Sequence, residues 1–190
     1  LNSIQKLVNF IDNHDGNRFL YDTTIDTFHL ALKFLLTWEG IPCIYYGTEQ
    51  EFNGGGSDEI NRKPLWESNY DTNNRTFKLI KALIAIRKEY PPIRRGLTEI
   101  LYASNTSGLL IFERKYHSKT ILIVLNTSNS TKSLTFENKI INTSFKNGAI
   151  LENIAKKYNI SDLPDINIVD VNGKKTFQIT VPAYGFGIYK

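Results

Sequence analysis

The sequence predicts an α/β unit over residues 1–95 followed by an all-β unit over residues 96–190, the second an antiparallel β-sandwich. Three observations carry this. Two short apolar runs, residues 7–11 and 41–47, flank a stretch with helical spacing, which is the order of a βαβ unit. A second helical stretch closes on Tyr90-Pro91-Pro92, because a residue before proline is pushed out of the helical region. After Gly96 helical spacing gives way to short alternating runs separated by turn residues, the pattern of a sandwich.

Leu7-Val8-Asn9-Phe10-Ile11 reads as a buried strand, being a short apolar run bounded by turn formers. Asp12, Asn13, His14 and Asp15 follow at once, and Gly16 and Asn17 turn the chain. A dense polar cluster at the C-terminal end of a strand is where parallel α/β folds bind ligands. The plainer alternative is a strand-to-helix loop whose polar groups merely satisfy one another. Thr23 or Thr24 caps the next helix, with Asp26 in its first turn. Ile25, Phe28, Leu32, Leu35 and Leu36 recur at helical spacing, and Gly40 stops the helix. His29 and Trp38 on this helix read as structural residues.

Residues 41–47 form the second buried strand, with Pro42 tolerated at its start. The loop over 48–73 is too long for an idle connection. Its Gly54-Gly55-Gly56 does not read as a phosphate loop, since no Lys-Ser/Thr follows and no helix is expected there. Residues 74–89 form an amphipathic helix with Phe77, Ile80, Leu83, Ile84 and Arg87 on its faces. Residues 91–96 read as a linker or domain boundary. The strands expected beyond it are 98–102, 109–116, 120–126, 132–137, 149–152, 167–171, 176–181 and 187–189, with 153–160 a short helix or a loop. His117 sits in a hairpin turn and reads as solvated.

Composition narrows the function classes. There is no run of about 18 apolar residues, so neither a transmembrane helix nor a membrane partner is expected. The chain begins with Leu1 rather than Met and reads as a fragment without a signal peptide. Cys43 is the only cysteine, which excludes an internal disulfide and zinc sites built on several cysteines. The net charge of +4 arises entirely after residue 95, from scattered basic residues not interleaved with aromatics. That argues against a nucleic-acid partner.

The two strand ends would bring His14, Asp15, Arg18, Glu49, Asp58 and Arg62 to one face. Carboxylates, arginine and histidine near aromatic rings suit a polyhydroxylated ligand. At these residues the sequence resembles a known family. Phe10-Ile11-Asp12-Asn13-His14-Asp15 resembles the fourth conserved motif of the α-amylase family, glycoside hydrolase family 13. Residues 40–50, from Gly40-Ile41-Pro42 to Thr48-Glu49-Gln50, resemble its segment at the eighth barrel strand. Residues 55–66, which include Asp58, Arg62 and Trp66, resemble the substrate-binding loop of fungal-type α-amylases. The resemblance covers residues 4 to 90; the β-rich part is similar only in kind to the family's C-terminal sandwich.

The resemblance implies the last two β/α units of a (β/α)8 TIM barrel in residues 1–95, strands seven and eight with their helices, then the sandwich in 96–190. It implies retaining cleavage of α-glucosidic bonds in starch or maltooligosaccharides by paired carboxylates. On the same resemblance Asp15 is the third essential carboxylate, which stabilises the transition state. His14 would bond the same sugar, Asp58 and Arg62 would hold its neighbour, and Asn13 would be structural or ion-associated. The family's nucleophile, in Gly-x-Arg-x-Asp, and its Glu acid match no segment here; Gly16 to Leu20 follows only the start of that pattern, with Leu20 where Asp is needed. The chain is therefore expected to be inactive alone and to need the missing N-terminal part of the barrel. No cofactor is expected in this chain, and calcium would belong to the full-length parent. Localisation stays open, with an extracellular place favoured if the substrate is starch. Two other readings stand beside this one. The first is a non-catalytic glucan-binding or degenerate amylase-like piece. The second is a metallophosphoesterase, whose Gly-Asn-His-Asp element would here carry Asp12 in place of the glycine.

Overall fold

The computed structural model describes residues 4–190. The chain divides into two compact units, Leu1–Glu89 and Tyr90–Lys190.

In the first unit β1 (Val8–Asn9) pairs in parallel with β2 (Ile41–Pro42), Val8 opposite Ile41 and Asn9 opposite Pro42. Ile41 N donates to Leu7 O and Cys43 N to Asn9 O, each at 2.8 Å. The connection is α1 (Ile25–Thr37), so the βαβ order is present. The expected burial of the two strands is not. Leu7, Val8, Phe10 and Ile41 are each more than half exposed. The cause is plain: β1 and β2 form a two-stranded sheet, with no further strand beside either among the described residues. Gly40, at φ +106°, makes the turn from α1 into β2, and a Cβ there would stand 2.8 Å from the Leu7 carbonyl oxygen.

α1 starts where Thr24 Oγ1 accepts from Thr27 N, at 3.2 Å. The long loop is not featureless. It holds α2 (Asp58–Asn61) and 3-10 turns at Thr48–Gln50 and Leu65–Ser68. A helical turn does therefore follow the three glycines, contrary to expectation, with Asp58 and Glu59 in its first turn, where the helix dipole favours acidic groups. α3 (Arg75–Glu89) packs against α1. α1 buries Phe28, Leu32, Leu35 and Leu36, and α3 buries Leu79, Ile80, Leu83 and Ile86, while Ile84 on another side of α3 is exposed.

Two polar ties lock the helix pair. Arg87 NH1 donates to Leu36 O and Trp38 O, both at 3.2 Å, and NH2 to Gly40 O at 2.6 Å. A guanidinium of α3 thus caps the carbonyl end of α1, where positive charge is favoured. The Thr76 hydroxyl gives its one proton to Glu51 Oε1 at 2.6 Å, so it accepts from His29 Nε2, 2.7 Å away. His29 is therefore the structural residue its helix position suggests. Burial first, then Arg75 and Lys33, pull its pKa below 6.5.

In the second unit the expected linker is the short helix α4 (Pro91–Arg95), with Pro91 in its first turn. Its Ile93 is fully buried, and it packs on β4 (Leu109–Tyr116) and β5 (Lys119–Asn126). With β3 (Leu97–Ala103) and β12 (Phe186–Tyr189), these strands make an antiparallel sheet in the order β12-β5-β4-β3. Tyr116 pairs with Lys119 across a two-residue turn, in which His117 is exposed at φ +52°. Three antiparallel ribbons complete the unit: β6 (Lys132–Leu134) with β11 (Ile179–Val181), β7 (Ile150–Leu151) with β8 (Ile166–Asn167), and β9 (Val169–Val171) with β10 (Lys174–Thr176). Residues 154–158 are a 3-10 turn.

One core joins Leu109, Ile111, Leu122 and Val124 of the sheet to Leu134, Leu151, Ile166, Phe177 and Val181 of the ribbon side. The other sheet face buries Phe112, Ile121 and Ile123, so β5 is apolar on both sides and its burial does not alternate. Glu113 is fully buried yet satisfied: its oxygens accept from the Thr143 hydroxyl, Ser144 N at 2.9 Å and Ser144 Oγ at 2.7 Å, and Lys115 Nζ stands 3.0 Å away.

Residues 90–190 expressed alone are expected to melt cooperatively, whereas residues 1–89 alone are not, because their apolar strand faces are uncovered. Cooperative melting of 1–89 at the higher temperature would refute this. The His29 shift gives a pH dependence. Its folded pKa lies below the unfolded value, so the stability it contributes is complete above pH 6.5 and falls as pH drops from there through the folded value. The melting temperature of the chain should fall between about pH 7.5 and about pH 5.5, and His29→Gln should flatten that slope; an unchanged slope in the variant would assign it elsewhere.

Candidate functional site

Asp12 links the two loops that carry the candidate residues. It is only 4% exposed. Its Oδ1 accepts from Phe19 N at 2.6 Å and its Oδ2 from Thr48 Oγ1 at 2.7 Å. A carboxylate set directly after an apolar run must find such donors, since burying it without them is costly. One residue on, Asn13 Oδ1 accepts from the backbone N–H groups of Asp15 and Gly16, both at 3.0 Å. That Asx turn occupies the Asn13 side chain in local structure.

His14 and Asp15 stand at the surface beyond this turn. His14 Nε2 is 3.1 Å from Asp15 Oδ1, and Arg62 NH2 is 3.5 Å from the same oxygen. Arg62 NH2 also lies 3.1 Å from Asp58 Oδ2, and its Nε donates to the His14 carbonyl at 3.3 Å. The α2 turn sets Asp58 and Arg62 four residues apart, on one side of the helix. The four residues named on the family resemblance thus meet in one cluster, from segments more than forty positions apart. Their side chains are roughly half to two-thirds exposed, and exposed ion pairs contribute only about 0–1 kcal/mol each. Stability alone does not account for such a cluster.

An aromatic wall adjoins it. The Tyr45 ring lies 6.3 Å from that of His14 and packs edge-on against Tyr46 at 4.6 Å. Burial first, then the neighbouring Tyr46, push the Tyr45 hydroxyl above its ordinary pKa. It therefore stays a neutral phenol. The site offers carboxylate acceptors, guanidinium and imidazole donors, and an aromatic surface.

Two candidates fall outside the cluster. Glu49 Oε2 accepts from Gly47 N at 2.9 Å, within its own turn. Arg18 is buried beneath Tyr45, 4.2 Å from the ring centroid, and does not reach the surface. The sequence reading missed the Asp12–Thr48 tie and the role of Tyr45. The first had a signal, a carboxylate abutting a core run; for the second, aromatic rings were expected beside these polar groups, but nothing singled out Tyr45. Among the described residues no three His, Cys, Asp or Glu side chains gather where they could hold a metal ion. No described helix is long and apolar enough to cross a membrane.

No family model matches the chain. It is 38% identical over 130 residues to a cyclomaltodextrin glucanotransferase of Thermoanaerobacterium thermosulfurigenes, a match covering 68% of this chain and 18% of that protein. It is 47% identical over 83 residues to alpha-amylase 3 of Schizosaccharomyces pombe, covering 43% of this chain and 14% of that one. Among solved structures, the gamma-cyclomaltodextrin glucanotransferase of alkalophilic Bacillus clarkii superimposes with a TM-score of 0.79 at 25% identity, over 98% of this chain and 26% of that one. The chain thus spans less than a third of the length of each of these relatives. By sequence and by fold, the chain belongs to the α-amylase family, glycoside hydrolase family 13.

Proposed function

We propose that this chain forms one wall of the active site of an enzyme that cleaves α-glucosidic bonds in starch or maltooligosaccharides with retention. The observation that carries this reading is the convergence of His14, Asp15, Asp58 and Arg62 on one surface beside Tyr45. Asp15 is the carboxylate that grips ring hydroxyls of the sugar undergoing cleavage, and its hydrogen bonds strengthen as the ring flattens toward the oxocarbenium-like transition state. His14 bonds the same sugar. Asp58 and Arg62 hold the neighbouring glucose, an acceptor and a donor fork suited to adjacent hydroxyls.

The nucleophile and general acid come from outside these residues, since the sequence contains no Gly-x-Arg-x-Asp. On this reading β1 and β2 are the seventh and eighth strands of a (β/α)8 barrel, and the all-β unit is the domain that follows it. The uncovered Leu7, Val8, Phe10 and Ile41 support this, because barrel neighbours would bury them. The chain by itself would be inactive. Transfer and hydrolysis both proceed through the same glycosyl-enzyme intermediate, and the similarity to glucanotransferases and to an α-amylase is consistent with either acceptor.

In the whole protein containing this chain, Asp15→Asn should lower kcat on starch by at least ~100-fold, the scale of several kcal/mol of transition-state stabilisation, with an unchanged melting temperature. Near-normal turnover would end the role given to Asp15. Arg62→Ala should act differently, raising KM for maltoheptaose roughly tenfold while altering kcat little, since a hold on a neighbouring sugar contributes uniform binding. A kcat loss as large as that of Asp15→Asn would place Arg62 at the bond being cleaved instead.

A further inference from the structure

We infer that Arg18 is the positioning residue of this site: its buried guanidinium holds the α2 turn, and so Asp58 and Arg62, where they meet Asp15. This rests on the reading given under Proposed function. Arg18 follows Asp15 by three positions, yet its side chain is fully buried. Two hydrogen bonds cross from it to the glycine loop and α2. Arg18 N donates to Gly54 O at 2.9 Å, and Arg18 Nε to Asn61 O at 3.1 Å. Asn61 immediately precedes Arg62, the residue that reaches both Asp15 and the His14 carbonyl.

The rest of the guanidinium is spent on rings. Its carbon lies 4.2 Å from the Tyr45 centroid, 5.4 Å from Tyr46 and 5.8 Å from Phe52. Neither NH1 nor NH2 has a hydrogen-bond partner, and the nearest carboxylate oxygen, Asp12 Oδ2, is 3.9 Å from NH1. Stripping water from an arginine without giving its N–H groups acceptors is costly, and cation–π contact offsets only part of it. Were stability the whole purpose, a well-packed apolar side chain would serve as well or better. What an apolar side chain lacks is reach. Arg18 touches the turn after β1 through Asp12, the aromatic turn after β2 through Tyr45, and α2 through Asn61. The cluster is assembled from those same three segments. A shift of the α2 turn carries Arg62 away from Asp15, and displacements of that kind reduce rates without any change in the reacting groups.

The test is made in the whole protein containing this chain. Arg18→Lys keeps the charge beside Asp12 but loses the planar fork that reaches Asn61 while lying on Tyr45. It should lower kcat/KM on maltoheptaose roughly tenfold or more. Combined with Arg62→Ala, it should cost little beyond Arg62→Ala alone, because the two act as one unit. Effects that multiply, or an Arg18→Lys enzyme of full activity, would overturn the inference. Hydrogen exchange at residues 58–62 is read in the same variants and in Arg18→Met, which guards against one variant failing to fold. Exchange should quicken there while α1 and α3 stay protected; quickening everywhere, or nowhere, would reduce Arg18 to a structural residue. If the wild-type protein cleaves no α-glucan, the proposed function fails, and the exchange result alone decides the role of Arg18.

Discussion

Asp12 carries a carboxylate into the interior at the point where the first strand ends, and both of its oxygens are claimed by groups from other segments. Phe19 N takes one and the Thr48 hydroxyl the other. Because a buried carboxylate tolerates little loss of its donors, the turn after β1 and the turn after β2 are fixed to each other rather than merely adjacent. Everything at the site follows from that registration. His14 and Asp15 follow Asp12 by two and three positions, and Tyr45 precedes Thr48 by three. The strand pair contributes only two residues from each side, so backbone pairing alone would hold this geometry weakly.

Periodicity made much of the fold legible. The helices near 25–37 and 75–89, the β4–β5 hairpin and most of the short strands lie where apolar spacing and turn residues place them. Where the reading failed, the reason was tertiary. β1 and β2 read as buried because their composition is apolar, but burial depends on neighbours, and a sequence pattern cannot say whether these are present. Residues 91–96 read as a linker or domain boundary with no helix of their own, yet proline is at home in a first helical turn and 91–95 are helical.

At the site, residue types were readable and their partners were not. His14, Asp15, Asp58 and Arg62 were nominated by motif, and the structure brings them within ion-pair distance of one another. Arg18 looked like a fifth surface group, and nothing in its sequence context announces that it folds under Tyr45. Glu49 looked like a sixth and instead closes its own turn. Charged side chains on loops can face either way, and only the packed structure decides. The two units also differ in how their sheets are covered. The all-β unit buries both faces of its central strands, whereas the α/β unit covers only the helix side of its core.

The Arg87 clamp has a consequence for how the first unit opens. Its guanidinium seals three carbonyls at the end of α1 from a seat on α3, so neither helix can unwind there without stripping the other. Fraying, which normally begins at helix ends and stays local, is converted into a joint event. The last of those carbonyls belongs to Gly40, the residue that launches β2. A thermal fluctuation of the helix pair is thus transmitted straight to the start of the strand that leads to Tyr45, and the aromatic wall is only as steady as a junction more than one turn of helix away in sequence.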